Sequence, residues 1–159
     1  MENALLKGGP RVNYQTIKGS EGPRKSFQIT AGLREGYGPT GKTHTMEAAV
    51  EAVLENLKAR AAAGLPYLTG TVTTGEVVYA WPEGAGKAGG GHEPVALYQG
   101  EVNPLYNRDL LDRPEAVREI LNALAAELGS ALGQTRVYVA YDGDMWILEK
   151  EKGETPTGD

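Results

Sequence analysis

Lys25-Ser26-Phe27-Gln28-Ile29-Thr30-Ala31-Gly32-Leu33 is the stretch whose reading decides the fold. Phe27, Ile29, Ala31 and Leu33 alternate with Ser26, Gln28, Thr30 and Gly32. A period of two turns one set toward a core and the other toward water. Strands with one wet face belong mainly to antiparallel sheets, whereas the strands of a parallel sheet read as continuous apolar runs.

Downstream, Arg34–His44 carries Gly36, Gly38, Pro39 and Gly41 and reads as a loop. Thr45 has the chemistry of an N-cap, and Glu47 in the following turn suits the helix dipole. Met46, Ala49, Val50, Val53, Leu54 and Leu57 recur at helical spacing and are expected to form one apolar stripe, ended by Gly64 and Pro66. Tyr67–Trp81 reads as a strand or a bent strand pair, with Gly75 as a candidate bulge. Pro82–Glu93 has five glycines in twelve residues and is expected to be a loop. Val95–Val102 then returns as a strand. Asp112, Pro114 and Glu115 suggest a capping box opening a second helix. Its stripe is Val117, Ile120, Leu121, Leu124, Leu128 and Leu132, with Gly129 and Gly133 fraying and stopping it. Arg136–Tyr141 alternates again, Asp142-Gly143 is a strong hairpin signal, and Met145–Leu148 forms the return strand. Upstream, Val12–Ile17 is expected to be a short edge strand between glycine–proline clusters.

The order is a β-α-β-β-α-β core with extra N- and C-terminal hairpin strands. It predicts an α+β two-layer sandwich of ferredoxin-like type, an antiparallel sheet with two helices on one face. Residues 1–24 are expected to be an arm or edge strand, 25–149 a single domain, and 150–159 a polar tail.

Composition excludes several chemistries. There is no cysteine among the 159 residues, hence no disulfide, thiolate zinc site, iron–sulfur cluster or cysteine nucleophile. His44 and His92 are too few for a many-histidine metal site, and no metal or other cofactor is expected. The net charge of −5 disfavours extended nucleic-acid binding, which rests on neutralising phosphates. No stretch reaches the ~18 apolar residues of a membrane helix, so a cytoplasmic protein is expected. Glycine, at 22 residues, is enriched about twofold over ordinary usage. Such enrichment points to turns and to close backbone approaches.

Gly36-Tyr37-Gly38-Pro39-Thr40-Gly41-Lys42-Thr43 fits the G-x-x-x-x-G-K-[ST] pattern, in which backbone N–H groups and a lysine hold phosphates. Gly38–Met46 also resembles the nucleotide loop of kinesin motors. A motor domain is about twice this chain's length, so the resemblance implies phosphate binding at this loop and nothing of the wider family. Gly84-Ala85-Gly86-Lys87-Ala88-Gly89 fits G-x-G-x-x-G but precedes a strand, where a dinucleotide site needs a helix. It reads as a hairpin tip, or as a lid offering Lys87 and His92. His44 and His92 are candidates for an acid–base pair, but neither lies in the paired H-x-[ST] setting of two-histidine phosphoesterases. Asp142 and Asp144 are explained by their turn. The aromatics Trp81, Tyr98, Tyr106, Tyr138, Tyr141 and Trp146 suit a core or a subunit interface better than stacking on nucleic acid.

The leading expectation is a homo-oligomeric module binding an anionic small molecule or a nucleotide. The candidate ligand-binding residues are Gly36, Gly38, Gly41, Lys42, Thr43, His44, Lys87 and His92. One alternative is a P-loop-type NTP-dependent enzyme using Lys42 and Thr43. Another is a structural or protein-interaction subunit without a ligand.

Overall fold

The computed structural model describes residues 13–36, 38–82 and 89–151. Strand β1 (Ser26–Gly32) leads to helix α1 (Met46–Ala62), and β2 (Thr71–Trp81) and β3 (Gly89–Glu101) follow. A 3-10 turn (Arg108–Asp112), helix α2 (Pro114–Ala131), β4 (Arg136–Tyr141) and β5 (Asp144–Glu149) complete the order. The sheet runs β2-β3-β1-β4-β5, and every neighbouring pair is antiparallel. Thus β3 lies between β1 and β2, and β1 between β3 and β4, which makes each β-α-β unit a split one. The β-α-β-β-α-β core is as expected, with β5 added at one edge. Among the described residues the sheet has no parallel pair for a P-loop enzyme to build on, so that alternative loses its scaffold.

Alternation along β1 has the expected consequence. Phe27, Ile29 and Ala31 join the core, and Gln28 and Thr30 face away from the helices. From α2 the core takes Val117, Ile120, Leu121, Leu124 and Leu128, and from β4 it takes Val137, Val139 and Tyr141. Gly129 is buried rather than fraying, because a Cβ there would fall 2.6 Å from Val137 Cγ2. Gly133, at φ +64°, ends the helix.

Five further expectations need correction. Asn13–Ile17 form no strand, and Val12 lies outside the described residues. Further on, Arg108 donates to the carbonyls of Gly19 and Glu21 and straps Gly19–Glu21 to the 3-10 turn. Asp112 closes that turn, and Arg113, without a side-chain cap bond, occupies the N-cap of α2. Gly75 makes no bulge, since it pairs in register with Val95. The stripe on α1 is split. Ala49, Val53 and Asn56 are buried, while Met46, Val50 and Leu54 are exposed. Ala48, Ala49, Ala52, Val53 and Leu57 form the arc that packs inward, and Met46, Val50 and Leu54 are left outside it. Finally, β3 begins at Gly89, so Gly89–Glu93 are strand rather than loop.

Candidate functional site

Two ends of the sheet differ in chemistry. At one end β1 stops at Gly32, opposite Val95, and Val95 is also opposite Gly75. Residues 76–81 of β2 and 89–94 of β3 therefore run on past β1 as a two-stranded ribbon. The loop between β1 and α1 leaves the sheet at this same end. Leu33 N–H donates to Pro94 O at 2.9 Å and so prolongs the pairing of β1 with β3.

The loop folds back as a small hairpin. Arg34 and Thr43 form an antiparallel bridge. Glu35 N–H donates to Lys42 O at 2.8 Å, and His44 N–H donates to Leu33 O at 2.7 Å. Gly41 is required here because a Cβ would fall on the Glu35 carbonyl oxygen. Gly36 and Gly38 adopt positive φ. The amides of Glu35 and His44 thus close the hairpin and are not turned toward a phosphate, unlike those of a phosphate-cradling loop. Lys42 and Thr43 are exposed at the hairpin's return arm, and Arg34 Nε approaches Thr43 Oγ1 at 3.4 Å. Thr45 caps α1 as expected, its Oγ1 accepting from Ala48 N–H at 3.2 Å.

The two histidines are held separately, each by a glutamate. The largely buried His44 shares a 2.5 Å hydrogen bond with Glu35 through Nε2. On the ribbon, His92 Nδ1 lies 2.6 Å from Glu76 Oε1, and both side chains are exposed. The two glutamates were missed in the sequence because each pairing spans a turn or two strands. Gly36, Gly38, Gly41, Lys42, Thr43 and His44 are gathered on one hairpin, with His92 on the neighbouring ribbon. Lys87 lies outside the described residues, as does all of Gly84–Gly89 except Gly89.

At the other end, on the face away from the helices, lies an open depression of about 870 Å³. Its lining includes Arg24, Gln28, Gln99, Glu101, Asp142 and Asp144, and none of the residues singled out in the sequence as ligand-binding. Gln99 Nε2 donates to Gln28 Oε1 at 2.6 Å, and Arg24 pairs with Glu101 at 2.9 Å. These groups satisfy one another. Asp142, at φ +47°, and Gly143, at φ +91°, are the hairpin turn their sequence announces. Among the described residues no group of three or more His, Asp or Glu side chains is placed to hold a metal. No helix among them is long and apolar enough to cross a membrane.

No family model matches the chain, and no curated protein is similar to it. Solved structures are. A phage SAM lyase in complex with S-methyl-5'-thioadenosine superposes with a TM-score of 0.58 at 18% identity. The match covers 91% of this chain and 100% of that one. A phage SAM lyase in the apo state gives 0.51 at 20% identity, over 89% and 100%. At this identity the likeness is one of fold: two helices on a five-stranded antiparallel sheet, the architecture of these small lyase domains.

Proposed function

We propose that this chain is a small-molecule-binding subunit of a homo-oligomer, and that it takes an anionic ligand of nucleoside type beside the β1–α1 hairpin. The observation that carries the reading is the convergence at one end of the sheet of Arg34, Lys42 and Thr43 with the N-terminus of the 17-residue α1. Two cationic side chains and a helix N-terminus suit a phosphate or carboxylate. The nucleoside character is supported by the structural neighbour, which holds S-methyl-5'-thioadenosine on the same architecture.

Self-association is supported by the face of the sheet turned away from the helices. Tyr138 and Ile147 are paired across β4 and β5 there, and Met145 lies beside them, all exposed. An apolar sheet face of this kind favours cover by another protein surface.

Calorimetric titration with AMP, S-methyl-5'-thioadenosine and SAM tests the site. AMP is expected to bind, and Lys42→Ala to weaken it about tenfold through loss of a charge-assisted contact. Equal AMP affinity in the two proteins overturns the assignment to the hairpin. Sedimentation equilibrium tests the assembly, and a monomer at micromolar concentration overturns it.

A further inference from the structure

Strand β5 forms one edge of the sheet, and among the described residues β4 is its one neighbouring strand. Its register shows which backbone groups point outward. Tyr141 and Asp144 flank the two-residue Asp142-Gly143 turn and so form a hydrogen-bonded pair. Such pairs recur at every second residue, here Val139 with Trp146 and Val137 with Leu148. The bond from Lys150 N–H to Thr135 O at 2.7 Å, one step further along, is in the same phase. The N–H and C=O groups of Met145, Ile147 and Glu149 therefore face away from β4, along the free edge.

Soluble proteins blunt such edges with proline, a bulge or a charge in mid-strand. Met145-Trp146-Ile147-Leu148 has none of these, and its charges stand at the ends, Asp144 before it and Glu149 and Lys150 after it. An edge that pairs with a copy of itself about a two-fold axis does so antiparallel. A register centred on Ile147 sets Ile147 opposite its own copy and Met145 opposite Glu149, in hydrogen-bonded pairs that use the outward groups of all three residues. The same register sets Trp146 opposite Leu148 and Asp144 opposite Lys150. Trp146 and Leu148 both pack against the core, so this pairing joins the rims of two cores. Glu149 is already bonded to Arg136 at 3.1 Å within its own chain and brings no bare charge to Met145. Centring on Trp146 sets Asp144 against Leu148, and centring on Leu148 sets Lys150 against Trp146, so either shift forfeits the pairing of opposite charges. At the other edge, the one charge on β2 is Glu76, and no self-pairing there gains an opposite charge.

We infer that β5 pairs with β5 of a second copy, antiparallel and centred on Ile147, so that two sheets become one. This rests on the self-association proposed above and names the strand that makes it. The test is amide hydrogen exchange followed by NMR on the full chain over a range of protein concentration, with sedimentation equilibrium on the same samples. The N–H groups of Met145, Ile147 and Glu149 are expected to gain protection as the dimer forms. Those of Trp146 and Leu148, bonded to β4, are expected to be protected throughout. Asp144→Lys and Lys150→Asp are each expected to weaken the dimer by about tenfold, because each sets like charges opposite one another twice, and the double variant is expected to restore it. Circular dichroism verifies that each variant folds, and the exchange pattern of the unaltered chain decides the matter without them. A dimer in which the three outward amides stay unprotected overturns the edge pairing and leaves self-association standing. Protection of the three amides without rescue in the double variant overturns the register centred on Ile147. A monomer throughout overturns the edge pairing and self-association together.

Discussion

Strand β3 belongs to two different environments. From Val95 to Tyr98 it lies beside β1, under the helices on one face, and Ala96 and Tyr98 are almost wholly buried. From Gly89 to Glu93 it pairs with β2 and not with β1, and the apolar residues opposite it are exposed on both faces, Val78 on one side and Tyr79 and Trp81 on the other. The same ladder of hydrogen bonds runs through both regions. What differs is the cover. Backbone pairing without packing gives a two-stranded ribbon that is only marginally stable in water by itself. The covered half holds the fold, and the overhang carries half-exposed aromatic side chains.

The largest expected effect measures that contrast directly. Leu124 is fully buried between α2 and the sheet. Leu124→Ala removes its packing and leaves a cavity, so a loss of about 2–5 kcal/mol in urea unfolding is expected. Val78, 78% exposed on the overhang, is expected to change stability by at most about 0.5 kcal/mol when replaced by alanine. Comparable losses at the two positions would break the distinction and mean that the ribbon is packed in solution. A Val78→Ala loss that depends on protein concentration would identify a second copy as the cover.

Tyr98 sharpens the comparison within the covered half. Its hydroxyl donates to Leu68 O at 2.7 Å and ties β3 to the segment leading into β2. Tyr98→Phe leaves that carbonyl without its donor, and a cost of about 1–3 kcal/mol is expected. Burial pushes the Tyr98 hydroxyl up to about 12 from an ordinary 10.0, with a backbone hydrogen bond from Gly70 acting weakly the other way. The folded state therefore holds the proton after the unfolded chain has released it. The contribution is complete below about pH 10 and is lost as pH rises toward 12. Unfolding free energies measured from pH 8 to 12 are expected to fall more steeply for the unaltered chain than for Tyr98→Phe. Parallel curves would remove Tyr98 as the source.

Much of this was legible in the sequence. The alternation of Phe27–Leu33 announced an antiparallel sheet with one covered face, and the leucines of α2 and the Asp142-Gly143 turn were read correctly because each is a local signal. The errors came where tertiary geometry overrides local pattern. Met46, Val50 and Leu54 fit an apolar stripe, yet it is the neighbouring arc through Ala49 and Val53 that packs inward. Gly89–Gly91 looked like a loop because their use, as seats for Tyr79 and Trp81, depends on a register no local window contains. For the site, the pattern Gly36–Thr43 located the hairpin but not its geometry. Matching letters do not say that Glu35 and His44 amides close the loop on itself, nor that each histidine is held by a glutamate.

An effect of opposite sign comes from the other end of β1. Tyr141 is buried opposite Phe27, but among the described residues its hydroxyl has no hydrogen-bond partner. Burial, and then the adjacent Asp142 carboxylate, raise its pKa. Both press the hydroxyl to stay protonated without giving that proton an acceptor. Removing it takes away a desolvation cost and leaves no group stranded, since nothing was paired with it. Tyr141→Phe is therefore expected to leave stability unchanged or to raise it by up to about 1 kcal/mol, the opposite sign to Tyr98→Phe. It should also reduce the loss of stability on the alkaline side, because a raised phenol pKa withdraws its contribution as pH rises past the unfolded value. A loss matching that of Tyr98→Phe would mean that the hydroxyl is bonded after all, through water held at the rim of the depression beside Asp142. That end of the sheet would then be hydrated where the core above it is dry, and the boundary between covered and uncovered sheet would lie one residue further into β4.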